Sequence, residues 1–253
     1  MIKVKLTHNQ TVRGLQVINH LLSFIGIFWI IYASQYFWIP VIILSWWFFG
    51  ILGINVGYHR LISHRSFKTH KWVEYILGVI GIINTLGSPL AWVAIHRQHH
   101  RSTETKDDPH SPYFIGKINA WFGWWNLKSL DFKLIKDIKR DKFYKLTHKY
   151  YLEIIIAYCL ILALINPWLI VYFYALPACL SLHASSSIIV IAHIHGYRTH
   201  ETKDESRNSW IANLITMGEG WHNNHHAKPY AWNNQEQWWE WDIPALIIRL
   251  IRT

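Results

Sequence analysis

Five stretches of this chain approach the length of a membrane-crossing helix: Val17–Ala33, Phe37–Gly57, Tyr75–Ile95, Tyr150–Asn166 and Pro167–Ile194. A bilayer core of roughly 30 Å takes about 20 apolar residues in a helix, because no water is present there to satisfy the backbone. The first two stretches are joined by the uncharged turn Ser34-Gln35-Tyr36. The last two meet around Asn166-Pro167-Trp168, where proline ends one helix and starts the next. Each pair is predicted to form a tight hairpin that crosses and returns. The middle stretch holds Asn84, Gly87, Ser88 and Pro89, a poor composition for a lipid-exposed span. Histidine-rich polar segments, His59–Lys71 and His96–His110, flank it. A crossing would put those segments on opposite faces, so Tyr75–Ile95 is predicted to dip into the membrane or lie along it. The expected fold is an all-α integral membrane protein forming one domain over residues 1–253. It has four transmembrane helices, one membrane-associated or re-entrant helix and a cytosolic histidine-rich cap.

Composition agrees with such segregation. Hydrophobic residues make up 51% of the chain, yet mean hydropathy is only +0.09, so the apolar residues lie in blocks. A formal charge of +10 suits a nucleic acid or an anionic membrane surface. The apolar blocks select the membrane, and no nucleic-acid partner is expected. Lys and Arg crowd Met1–Arg13, Arg60–Lys71 and Lys128–Lys149, whereas the two outer turns carry none. The positive-inside rule then places both termini and every histidine cluster on the cytoplasmic side. No small-residue cleavage site follows the basic Met1–Arg13, so the first apolar stretch is expected to be a retained anchor. Lys128–Lys149, with Asp131, Asp137 and Asp141 among its lysines, reads as a surface helix. Cys159 and Cys179 sit in apolar stretches and suit core packing rather than a disulfide or thiolate ligation. Most of the 16 tryptophans, Trp46, Trp47, Trp124 and Trp125 among them, are expected at the membrane interface, with a minority along a substrate path.

Four groups of histidines follow the ends of the apolar stretches. They are His59-Arg-Leu-Ile-Ser-His64, His96-Arg-Gln-His99-His100, the pair His193 and His195, and His222-Asn-Asn-His225-His226. In HxxHH, positions i, i+3 and i+4 share one helical face, so two such helices facing each other supply six imidazoles. His59 and His64 are five apart, about 140° on a regular α-helix, so that box is expected to straddle a helix end. Neutral imidazole suits zinc, copper, iron and nickel. Zinc seldom takes more than four ligands, and eight or more clustered histidines exceed one site of any kind. Two redox metals are the economical reading, with iron the usual choice for oxygen activation. A solitary histidine such as His20, His148 or His183 reads instead as an ordinary core or interfacial residue.

These motifs resemble the membrane fatty acid desaturases, specifically the Δ9, stearoyl-CoA desaturase-like branch. The resemblance runs from about Asn55 to Tyr230. It is carried by Gly57-Tyr-His-Arg-Leu-Ile-Ser-His-Arg-Ser-Phe67, by His96-Arg-Gln-His-His100 followed by Asp107-Asp-Pro-His-Ser-Pro112, and by Gly218-Glu-Gly-Trp-His-Asn-Asn-His-His226. Ala192-His-Ile-His-Gly-Tyr-Arg198 resembles the segment that supplies a further ligand after the last span. The resemblance implies two iron ions held by His59, His64, His96, His99, His100, His193, His222, His225 and His226. It implies O2-dependent insertion of a cis double bond, Δ9 by the branch, into a saturated acyl chain. Asp107, Asp108 and Glu219, with Glu104, Glu201 and Asp204, are placed to orient imidazole N–H groups. One position departs from the acyl-CoA branch, in which an Asn four residues before the equivalent of His193 lies near one metal through a water. Here it is Ile189, which cannot hold a water. His195, on another helical face, and Ser185–Ser187 are the nearest polar substitutes.

Two electrons must come from outside, since the chain shows no haem module, cysteine cluster or glycine-rich dinucleotide fingerprint. An acidic external donor such as ferredoxin or cytochrome b5 suits the basic face. The acyl carrier stays open among CoA, acyl carrier protein and a glycerolipid. A membrane di-iron hydroxylase of fatty acids or alkanes is the nearest alternative, though its first box is usually HxxxH. A non-enzymatic metal-binding membrane protein would need polar groups lining its spans, and only scattered ones such as Asn19, His20 and Asn55 occur. His222, rather than Gln, at the start of the last box argues against desaturases acting on already unsaturated chains.

Overall fold

The computed structural model describes residues 7–122 and 131–253. Trp124, Trp125 and the start of the expected Lys128–Lys149 helix lie outside the described residues. Every named element among the described residues is helical. Helix α1 (His8–Tyr32) starts at a capping box, in which Gln10 N–H donates to Thr7 Oγ1 at 3.3 Å and Thr7 N–H to Gln10 Oε1 at 2.8 Å. Its faces are inverted relative to those of a water-soluble helix. Gln16, Asn19, Ser23 and Gly26 are buried, while Val17, Leu21, Phe24 and Phe28 are exposed. Small and polar residues packed inward with large apolar ones outward is the pattern of a helix solvated by lipid.

Trp38–Ser63 forms one unbroken apolar rod of 26 residues, here called α2, which is α-helical over Trp38–Phe49 and π-helical over Gly50–Ser63. The short helices α3 (Lys71–Ile83) and α4 (Pro89–Ser102) follow. After them come α5 (Lys117–Phe122), α6 (Lys142–Lys149) and α7 (Tyr151–Ile165), then a π-helical turn Ile170–Ala175 that runs into α8 (Leu176–Ile194). The chain ends with α9 (Trp210–Thr216), α10 (His222–Ala227) and α11 (Ile243–Ile251). His8–Tyr32, Trp38–Ser63 and Ile170–Ile194 are each long and apolar enough to cross a bilayer. Helices α6 and α7, bent by 72°, make a fourth if counted as one span. The chain is thus an all-α membrane protein. At Asn166-Pro167-Trp168 the turn is held by the Asn166 side chain, whose Oδ1 accepts from Trp168 N–H at 2.9 Å.

Tyr75–Ile95 is not one helix. It breaks at Asn84–Ser88, where Thr85 and Gly87 adopt positive φ of 55° and 102°. Ser88 caps the next helix and Pro89 begins it. Polar groups on neighbouring helices hold the break. Gln16 and Asn19 of α1 donate to Thr85, and Asn84 donates to the Phe49 carbonyl at 2.9 Å. The chain therefore turns back, bringing His96 Nε2 to 2.6 Å from His64 Nε2. Against it, Gly53 and Gly81 let α2 and α3 touch, since a Cβ on Gly53 would come 2.7 Å from the Gly81 backbone. Valine at Gly53 is expected to force these helices apart and sharply lower the yield of folded protein, checked by gel filtration in detergent.

The Lys128–Lys149 expectation needs correction over its described part. A 3-10 turn, Phe132–Ile135, and the separate helix α6 replace a single surface helix. Asp131 and Asp141 cap these two elements, so each aspartate interrupts helix rather than decorating it. Ile135 and Ile138 are fully buried, and Asp137 accepts from Arg97 of α4 at 2.7 Å. The segment clamps the second histidine box from outside.

Candidate metal centre

The nine histidines singled out in the sequence converge from four elements into two groups. His59, His64, His96, His100 and His225 form the first, and His99, His193, His222 and His226 the second. Within each group one ligand atom per residue lies within 4.8 Å of every other. In the first, His225 Nε2 is 3.1 Å from both His59 Nε2 and His100 Nε2. In the second, His193 Nε2 is 3.1 Å from His222 Nε2. Such convergence of imidazole nitrogens suits rings gathered around a shared cation.

The first box reaches its group through the π-helix. His64 N–H donates to His59 O at 3.1 Å, a bond closing residue i to i+5. A turn of that width stacks residues five apart, so the two rings lie 4.9 Å apart instead of pointing 140° away from each other. His64 also caps the helix, so the box does sit at a helix end, as its spacing suggests. Each HxxHH box divides in the same way. Positions i and i+4 join one group, and position i+3 joins the other: His96 and His100 against His99, His222 and His226 against His225.

Carboxylates fix the ring orientations. Glu219 accepts from His59 Nδ1 at 2.7 Å, Asp108 from His99 Nδ1 at 3.0 Å, Glu104 from His193 Nδ1 at 3.0 Å, and Asp204 from His226 Nδ1 at 2.9 Å. With Nδ1 protonated and bonded, the Nε2 lone pair of each ring faces its group. Of the other residues named for this role, Asp107 offers only its carbonyl to Gln98, and His195 and Glu201 are exposed. Position explains it: Asp107 sits one residue short of the turn that points Asp108 inward, and His195 lies past the last turn of α8. Asn208, not singled out by sequence, pins the third box. Its Oδ1 accepts from the N–H groups of Asn223 and Asn224 at 3.0 and 3.2 Å, at the start of α10.

Burial, with like charge nearby, pushes His96, His100, His222 and His225 well below the ordinary histidine range. Burial lowers His226 to about 4 despite Asp204. Burial would raise Glu219, but Arg60 and His59 outweigh it and hold it near 2. Neutral rings with ionised partners are the state that binds metal. The unfolded chain takes up protons first as pH falls. Protein stripped of metal by chelation is therefore expected to keep full stability above about pH 6.5 and lose it progressively towards pH 4. Denaturation midpoints at a series of pH values check this; midpoints flat across that range would contradict it.

A third cluster, His20, Cys179 and His183, is also compact. Its nitrogens are committed elsewhere. His20 Nδ1–H donates to Gln16 O at 2.7 Å, and Trp121 Nε1–H donates to His183 Nδ1 at 2.9 Å. The His183 proton then sits on Nε2 and points at His20 Nε2, 3.3 Å away. That tautomer pair leaves no imidazole lone pair for a metal. Cys159 and Cys179 are free thiols, in line with core packing.

A cavity of about 100 Å³ adjoins the first group. His59, His96, His110, Trp92 and Glu219 line its metal end, and Trp46, Trp47 and Ser181 lie at its far end. Trp46 and Trp47 thus face a cavity rather than anchoring an interface, because they fall at mid-helix in α2. Ile188, Ile189, Ile51 and Ile54 wall it between. The lining is apolar enough for a hydrocarbon chain and ends beside imidazoles. His110, buried with its ring tilted against that of His99 at 4.4 Å, belongs to the same wall and was not singled out by sequence.

An all-α membrane protein with two facing histidine groups and an apolar cavity beside them points to a class: a membrane-embedded, metal-dependent oxidoreductase acting on hydrocarbon. The fatty acid desaturase profile matches residues 35–247. The chain is 37% identical over 215 residues to an sn-2 palmitoyl-lipid 9-desaturase of Nostoc sp. (strain 36), covering 82% of this chain and 75% of that protein. It is 34% identical over 240 residues to an sn-1 stearoyl-lipid 9-desaturase of Anabaena variabilis, covering 90% and 86%. It is also 37% identical over 210 residues to Delta-9 acyl-lipid desaturase 2 of Arabidopsis thaliana, covering 79% and 67%. The chain belongs to the fatty acid desaturase family. It is an oxidoreductase that desaturates fatty acyl chains.

Proposed function

We propose that this enzyme inserts a cis double bond at the Δ9 position of a saturated acyl chain carried on a membrane glycerolipid, using O2 and an external electron donor such as ferredoxin or cytochrome b5. The five-and-four division of imidazoles, each group backed by Nδ1–carboxylate bonds, is the observation that supports it. The donor set fits two iron ions, one held by His59, His64, His96, His100 and His225, the other by His99, His193, His222 and His226. When bound, such a pair supplies the oxidising power to remove hydrogen from unactivated methylenes. The glycerolipid carrier follows from the relatives, two of which are named for lipid-bound acyl groups at defined glycerol positions.

The chain's own contribution is placement. The apolar walls hold the acyl chain extended and dry, with the carbons that react beside His59 and His96. Trp92 stacks on His96 at 4.9 Å and steadies the ring that forms the cavity's metal end. Ile189 adds only hydrocarbon to that wall, leaving the second group with four imidazoles among the described residues. Four crossings, with both termini and the histidines on the cytoplasmic side, match the charge distribution and suit an acidic donor docking on basic residues.

Expression in a host lacking unsaturated fatty acids, followed by mass spectrometry of its lipids, tests the reading. Δ9 alkenes on intact glycerolipids are expected; hydroxy-acids without new alkenes would overturn it. Glu104→Gln and Asp204→Asn each keep shape but remove charge from a ring partner. Each is expected to weaken iron retention by roughly 10- to 100-fold, read as iron content after dialysis against a chelator series.

A further inference from the structure

The cavity is not sealed against its surroundings. Trp47 and Ile51 on α2, Ser185 and Ile188 on α8, and Ile215 on α9 line it yet are only half-buried. The α2 and α8 positions lie roughly two helical turns or more inside the helix ends at Ser63 and Ile194. They therefore sit at bilayer depth rather than in water. On the same helical faces Leu44 and Phe48 of α2 and Ile211 of α9 are exposed, continuing apolar surface outward from the opening. Towards the histidines the opening is closed, because Asn55 Nδ2–H donates to Thr216 O at 2.9 Å and ties α2 to α9.

We infer that this opening between α2, α8 and α9 is a lateral portal, through which the methyl-end half of a bilayer lipid's acyl chain swings sideways into the cavity. The inference rests on the desaturase reading and names how its lipid substrate arrives. A chain threaded in from the aqueous side would expose every methylene to water at the usual transfer cost. Sideways passage keeps it against apolar side chains throughout while the headgroup stays at the membrane surface. A thioester of CoA, charged and water-soluble, has no use for an opening at bilayer depth. The Asn55–Thr216 bond forms the upper bar of the portal, so the chain passes beneath it and then rises to His59.

The test uses the full-length protein in vesicles containing phosphatidylcholine with a diazirine on its acyl chain. After irradiation, peptides bearing Ile51, Ser185 and Ile188 are expected to carry lipid, and in Ile188→Trp and Ile51→Trp that labelling falls to background. Iron content, unchanged in both variants, shows that the fold and the histidine groups survive. Either variant retaining full labelling with its iron intact would overturn the portal, as would wild-type protein labelled only on the outer faces of α1 and α7. A parallel turnover assay separates this from the enzymatic reading. Desaturation of stearoyl groups on phosphatidylcholine that Ile188→Trp leaves untouched sinks the portal alone. Labelling at the portal with no alkene from any acyl substrate sinks the desaturase reading instead.

Discussion

His225→Ala is expected to abolish desaturation and strip iron from the first histidine group. His225 is the single residue of α10 in that group, and its Nε2 lies 3.1 Å from the Nε2 atoms of both His59 and His100. Removing it takes one donor of five and leaves a gap that no neighbouring side chain of α10 can reach, since His222 and His226 face the other group. Loss of an outer carboxylate partner costs roughly 10- to 100-fold in metal affinity, and loss of the imidazole itself exceeds that. Lipid analysis for the alkene product, paired with iron quantification at equal protein yield, measures it. Full product with full iron in this variant would remove His225 from the site.

Arg60→Met is the second large effect, and it acts through stability. The Arg60 side chain is 1% exposed and donates to Glu219, to Asp242 at 2.8 Å, to the Trp232 carbonyl at 2.9 Å and to the Gly218 carbonyl at 3.3 Å. Methionine matches its bulk but leaves two buried carboxylates without a counter-charge, a loss of about 3–5 kcal/mol for breaking a buried pair. The damage reaches the metal site, because Glu219 also holds His59 Nδ1–H at 2.7 Å. It reaches the C-terminus too, because Asp242 caps α11 through Ala245 N–H at 3.0 Å. Arg60→Lys keeps the charge and loses the fork, so partial recovery of folded yield is expected. Equal yield and iron content in Arg60→Met and wild type would show that this network carries no weight.

Much of the architecture was legible in the sequence because lipid imposes it. Apolar blocks of bilayer length, hairpin turns at Ser34-Gln35-Tyr36 and Asn166-Pro167-Trp168, and a polar interruption at Asn84–Pro89 each have a direct physical reading. The histidine boxes were legible for the same reason, since imidazoles repeated at helical spacing are costly to bury without a ligand. The Lys128–Lys149 helix was misread because its charges looked like a solvated face, while Asp131 and Asp141 were acting as caps and Asp137 as a partner for Arg97. Trp46 and Trp47 were misread because an indole suits an interface and a cavity wall equally well, and composition does not tell which.

The sequence by itself determined which nine imidazoles assemble, because only segments that return to one side can bring four separated boxes together. It did not determine how they divide. On an isolated helix, i, i+3 and i+4 share a face, so each HxxHH box looks like one three-pronged donor. The facing helices split that face between two centres, sending i and i+4 to one and i+3 to the other. A π-helical turn then folds His64 over His59, which the α-helical angle forbids. Both outcomes depend on what stands opposite each ring, and that is set by packing across the bundle, not by spacing along the chain.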